Sequence, residues 1–131
     1  MNLKPFEKQQ YLNIETFRKS GLGVKTPVWF VQEGETLYVW TQAQSGKVKR
    51  IRNNGAVRIV PSTGNGEPLS EWLPAQAKLD ETPAALKHVN ALMSKKYGFM
   101  FHVFGFLGKL RGNPQYTAIR IQVQPQPVTQ N

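Results

Sequence analysis

A chain of 131 residues with 40% apolar and 11% aromatic content is long enough for one hydrophobic core and too apolar for a disordered segment. The absence of cysteine excludes disulfides, thiol catalysis and cysteine-ligated metals, and two histidines cannot build a histidine-rich metal site. Seventeen Lys and Arg against 8 Asp and Glu give a formal charge of +9, which favours an anionic partner: nucleic acid, acidic lipid or a phosphorylated small molecule. The amino terminus lacks an apolar signal core, and no apolar run reaches the roughly 18 residues that a membrane span needs, so a soluble cytoplasmic protein with no membrane partner is expected.

In chain order, the first ten residues are polar and predict an arm or short helix. Tyr11 to Arg18 alternates in the manner of a strand, Ser20 to Gly23 is a turn, and Val24 to Gln32 is a strand rich in Val, Trp and Phe. Glu33-Gly34-Glu35 connects it tightly to a partner strand, Thr36 to Thr41. A small helix follows, with Ser45 as N-cap, Val48 and Ile51 facing a core, and Gly55 as its stop. Ala56 to Val60 is a strand, Pro61 to Pro68 a loop, and Glu71 to Leu79 a further strand. Pro83 opens a helix that runs to about Tyr97 with Leu86, Val89, Leu92 and Met93 at helical spacing. Gly98 to Gly112, aromatic and glycine-rich, takes no assignment from pattern. Tyr116 to Val123 is the last strand, and the Gln/Pro tail is expected to fray. Six short strands and two helices in one domain, residues 1–131, fit a small antiparallel barrel better than a doubly wound sheet.

Two features bear on chemistry. The helix around Lys47, Lys49, Arg50 and Arg52 begins with Ser-Gly-Lys, where backbone N–H groups, the helix dipole and a lysine all favour one anion. Thr41, at the end of the preceding strand, adds a hydroxyl nearby. In Lys25-Thr-Pro-Val-Trp-Phe30, Pro27 has no N–H for a ladder, so the backbone beside it is free to bond something other than a strand, such as the rim of a planar heterocycle. Each feature also has a plainer reading. Charge runs are commonly solvated helix faces, an edge strand tolerates proline, and Trp29 and Trp40 can pack between subunits as well as against a ring. His102, among Met100, Phe101, Val103 and Phe104, is expected in the core, and Asp80 and Glu81 as helix-start charges. No catalytic triad, carboxylate pair or metal-ligand spacing occurs.

Taken in order, these pieces resemble the pyridoxamine 5'-phosphate oxidase-like, FMN-binding split-barrel family. They are similar in particular to its small members described as dependent on the deazaflavin F420. The Thr-Phe-Arg strand, the Thr-Pro-Val-Trp-Phe strand, the hairpin partner ending in Thr, the Ser-Gly-Lys-Val-Lys-Arg-Ile-Arg-Asn-Asn helix and the Val-Arg-Ile-Val strand carry the likeness over about residues 10–80. The resemblance implies a mainly β, six-stranded split barrel that dimerises and binds its cofactor, F420 or FMN, between subunits. It also implies phosphate contacts from Thr41, Ser45, Gly46, Lys47 and Lys49, with Arg50 beside them, and a ring-facing backbone at Pro27, Val28 and Trp29. The arginine-rich carboxy-terminal motif of true pyridoxamine phosphate oxidases is absent, which argues against vitamin B6 oxidation. The implied activity is hydride transfer between the cofactor and a planar small molecule. A non-catalytic flavin- or tetrapyrrole-binding barrel and a basic nucleic-acid-binding barrel are the alternatives.

Overall fold

The computed structural model describes residues 3–124 and contains six strands and three helices after a short helical turn at Lys4–Phe6. The strands are β1 (Tyr11–Phe17), β2 (Gly23–Glu33), β3 (Thr36–Gln42), β4 (Ala56–Ser62), β5 (Leu73–Asp80) and β6 (Tyr116–Val123). The helices are α1 (Gly46–Asn53), α2 (Pro83–Tyr97) and α3 (Phe99–Leu110). All strand pairs are antiparallel and close into a barrel in the order β1-β2-β3-β6-β5-β4. The expected frayed tail lies outside the described residues.

Alternation along the strands sends Leu12, Ile14, Phe30, Leu37, Val39, Val57, Ile59, Ile119 and Ile121 into one interior, all essentially without solvent contact. Burying each such side chain contributes roughly 1.5–3 kcal/mol of transfer free energy, so the barrel interior is the principal source of stability. Helix α1 closes one end, with Val48 and Ile51 buried beneath it as their spacing predicts. Its carboxyl end departs from expectation. The helix stops at Asn54 in an extended conformation, and Gly55 has no positive φ. Glycine is needed at 55 for close approach instead: a Cβ there would lie 2.7 Å from the Ala77 carbonyl oxygen, and the Gly55 carbonyl accepts the Ala77 N–H at 2.8 Å.

A second layer covers the outer side of β2, β3 and β6. Val89 and Met93 of α2 pack on Val31 and Ala118, with Trp29, Trp40 and Phe101 around them. Thr82 caps α2 by accepting the Ala85 N–H at 3.2 Å, and Gly98, at φ 59°, turns the chain directly into α3. The unassigned stretch is therefore a helix, and none of its residues is fully buried. His102 is exposed on it, contrary to the core position expected, and shares a hydrogen bond between Nε2 and Ser94 Oγ at 2.8 Å. Strand β5 begins at Leu73 and not Glu71; Trp72 just before it is flanked by Lys25 and Arg58, 5.2 and 5.1 Å from its ring.

One junction is incomplete. β2 pairs with β1 from Gly23 to Trp29, but with β3 only from Phe30 to Glu33, opposite Thr36–Val39. β3 pairs with β6 along its whole length. The outer edge of β2 before Phe30 and the facing edge of β3 at Trp40–Gln42 thus have no ladder partner, and the barrel is split there.

Candidate functional site

The split puts the two sequence features on one surface. Pro27, Val28 and Trp29 lie on the open edge of β2, and Thr41 continues the inward-facing series of Leu37 and Val39 on the opposite edge. Three residues beyond Thr41, a turn closed by Ser45 N–H to the Gln42 carbonyl at 3.1 Å delivers the chain to α1. Ser45 has the extended backbone of an N-cap, but its Oγ makes no capping bond. That oxygen is buried and has no partner, as are the hydroxyl oxygens of Thr26 on β2 and Thr117 on β6, the residue opposite Thr41. An unsatisfied buried hydroxyl costs free energy, so the Ser45 oxygen at the start of α1 is a candidate to meet a ligand with its own donors.

Cations gather at the same end. Lys47 is half-buried, and burial followed by the charge of Arg50 pushes its ammonium below the ordinary lysine value. Partial burial and then the charge of Arg18 push Arg50 down in turn. Arg50 is aimed back along its own helix: Nε donates to Thr16 Oγ1 at 2.6 Å, and a Cβ on Gly46 would lie 2.7 Å from its Nη1. Gly46 therefore leaves room for the guanidinium at the helix start. None of Lys47, Arg50 and Arg18 is ion-paired among the described residues. Lys49 is exposed with no partner, and Arg52 points elsewhere, to Glu81 at 3.2 Å. An uncompensated cluster of cations, a free hydroxyl and a helix amino terminus together fit a phosphate. Glu81 accordingly serves Arg52 across the fold rather than its own helix.

Above the split, a groove of about 680 Å³ runs from Tyr11 and the Pro27–Trp29 edge to α3. Trp29 stacks on Tyr97 at 4.4 Å and 7°, and Phe104 meets it edge-on at 5.1 Å. Trp40 stacks on Tyr116 at 5.6 Å. Both tryptophans thus pack within one chain while still lining the groove. The Tyr97 hydroxyl takes the next rung after the β1–β2 ladder, accepting the Phe30 N–H at 2.9 Å and lying 2.7 Å from the carbonyls of Gln10 and Phe30. Lys96 Nζ donates to the Gln9 and Phe30 carbonyls at 2.8 and 2.7 Å.

No family model and no curated protein matches the sequence. Solved structures do match along nearly the whole chain. The heme-storage protein HutZ of Vibrio cholerae superposes with a TM-score of 0.70 at 19% identity, covering 96% of this chain and 93% of that one. A Listeria innocua protein described as a pyridoxamine 5'-phosphate oxidase gives 0.66 at 18% identity, covering 94% and 90%. An F420 reductase gives 0.61 at 16% identity, covering 92% and 91%. The fold is the pyridoxamine 5'-phosphate oxidase-like split barrel. The sequence motifs point to Ser45, Gly46, Lys47 and the Pro27–Trp29 edge as candidates, while Arg18, Thr16, Thr26 and Thr117 are candidates that only the structure adds. Single hydroxyls and an arginine in a turn carry no spacing signal; only the closed sheet brings them to α1.

Proposed function

We propose that this protein is a cytoplasmic, homodimeric oxidoreductase that holds a flavin-type cofactor, F420 or FMN, in the split and passes a hydride between it and a planar small molecule. The observation that carries the reading is the Ser45 hydroxyl, unpaired among the described residues, beside Lys47 and Arg50, cations that no described carboxylate neutralises. Ser45, Gly46, Lys47 and Arg50 would hold the phosphate, with Thr41 and Lys49 beside them. The open backbone of Pro27, Val28 and Trp29 would face the ring. The cofactor supplies the hydride chemistry when bound. The chain's own contribution is placement: cations fix the phosphate, the β2 edge orients the ring, and Trp29, locked against Tyr97, shields one side from water.

Dimerisation is supported by α3. Phe99, Phe106 and Leu110 are 81%, 61% and 68% exposed, and helical spacing puts them on one side of α3, where Phe106 also borders the groove. A second copy covering that face would also wall the groove beside it.

The decisive experiment is an absorption and fluorescence titration of the purified chain with FMN and, separately, with F420. Lys47→Ala should weaken binding by about tenfold or more, the loss of a charge-assisted phosphate contact, whereas Lys87→Ala on the far helix should not. Equal affinities for the two variants would overturn the reading. A second reading, a barrel that holds a flavin or tetrapyrrole without turnover, draws support from the aromatic groove and from the heme-storage relative. A tightly bound cofactor that no reductant or acceptor can cycle would favour it. The nucleic-acid reading has weaker support, because it rests chiefly on net charge.

A further inference from the structure

The groove beneath α3 has a chemical character that a flavin phosphate site does not use. Its walls are flat rings, Trp29, Trp40, Phe101 and Phe104, and its polar lining includes Asn90 and Asn113 beside the two nitrogen bases His102 and Lys109. These two stand seven residues apart, two helical turns, and so share one side of α3. No Asp or Glu lines the groove among the described residues. After Glu81 the sequence contains no acidic residue at all, so this wall has no internal counter-charge near it in the chain. Among the described residues Lys109 is exposed without an ion-pair partner, and His102 uses only Nε2, on Ser94 Oγ, leaving its other ring nitrogen without a partner.

We propose that this groove is a binding site for a flat polycyclic aromatic acid, its rings held between the aromatic side chains and its carboxylate set against Lys109 and His102. The apolar walls alone would accept any planar ring, and the two nitrogen-bearing side chains alone would leave an anion in water. Their combination in one groove selects a molecule that has both parts. As a substrate, such an acid would lie along the Pro27–Trp29 edge and against the cofactor ring; that role rests on the oxidoreductase reading, but binding of the acid does not require the cofactor. The phosphate end, at Ser45 and Lys47, is a separate lining.

The test is quenching of tryptophan fluorescence in the full chain, titrated with naphthoate and with naphthamide, two probes of one shape that differ in charge. Naphthoate should bind about fivefold more tightly at low salt, the scale of a partly exposed charge contact. Lys109→Met should remove most of that preference and His102→Gln part of it, with naphthamide affinity unchanged. Phe104→Ala should weaken both probes. Equal affinities, a preference that survives both polar substitutions, or no quenching by either probe would overturn the proposal. So would loss of naphthoate binding in Lys47→Ala, which would place the anion at the α1 end. Failure of the cofactor titration with naphthoate selectivity intact would remove the oxidoreductase reading alone.

Discussion

The Arg50 guanidinium folds back over the start of its own helix and donates through Nε to the Thr16 hydroxyl at 2.6 Å. A helical arginine one turn in from the amino end is ordinarily repelled by the positive end of the macrodipole, and here Lys47 and Arg18 add to that repulsion. The arrangement costs free energy until an anion arrives. Arg50→Met should therefore lower affinity for a cofactor phosphate by about tenfold, or roughly 1.4 kcal/mol. Thr16→Val, which frees the guanidinium without removing it, should cost less. The same fluorescence titration reads both, and an Arg50→Met affinity equal to wild type would exclude Arg50 from the site.

Tyr97 ties α2 to the sheet through its hydroxyl and positions Trp29 through its ring. Tyr97→Phe should keep the stack but leave the Phe30 N–H without an acceptor, at a cost of about 1–3 kcal/mol in urea unfolding. Tyr97→Leu should lose a further 0.5–1.5 kcal/mol or so, the part due to the ring pair. Equal losses for the two variants would show that the stack contributes nothing.

The same corner sets a dependence on pH. Burial brings Lys96 from 10.5 down to about 8, although two carbonyls and the face of Phe30, 3.8 Å away, favour its charged form. Between those values the unfolded chain binds a proton that the folded one has released, so this contribution to stability rises from pH 8 towards 10.5. Tyr97 acts in the opposite sense. Burial raises its hydroxyl well above the usual 10.0, against a lowering from its bond to the Phe30 backbone, so above pH 10.0 the folded chain keeps a proton that the unfolded chain loses, and stability falls. Urea midpoints measured across this range should lose their rise in Lys96→Met and the fall above pH 10.0 in Tyr97→Phe. Superimposable profiles for wild type and Lys96→Met would refute the first assignment.

The uncovered side of α3 gives a prediction about assembly. Leu110→Asp places a charge on a residue that is 68% exposed, so it should not unfold the monomer. In a dimer joined through this face it should shift sedimentation velocity from dimer to monomer at micromolar concentration. A wild-type chain that sediments as a monomer would remove the face from the dimer proposal.

The barrel was legible in the sequence because strand alternation reports burial directly: Leu12 and Ile14, Leu37 and Val39, Ile119 and Ile121 all fall inside as their period requires. The helix α1 was legible because Val48 and Ile51 bracket it between a serine and a change of period. Helix α3 was not. Phe99 to Leu110 is strongly apolar, contains two glycines and has no capping side chain, so no start signal marks it as a helix. His102 was misplaced for the same reason: apolar neighbours predict a core only where the helix they form is buried. At the candidate site, Ser45, Lys47 and the Pro27 edge stood out as local patterns. Thr26, Thr117 and Arg18 belong to it only through register and turn geometry, which pairwise spacing does not encode.

An edge of sheet without a ladder partner is also a template on which a foreign strand can dock, and seven consecutive residues, Gly23 to Trp29, have no outer neighbour strand among the described residues. Pro27 interrupts the row of donors that a docking strand would need, and Lys25 places a charge on the same edge. The proline that the flavin proposal sets against the ring would therefore also keep the barrel from recruiting other barrels edge to edge. Pro27→Val should leave the fold intact yet make the protein prone to aggregate through this edge of β2.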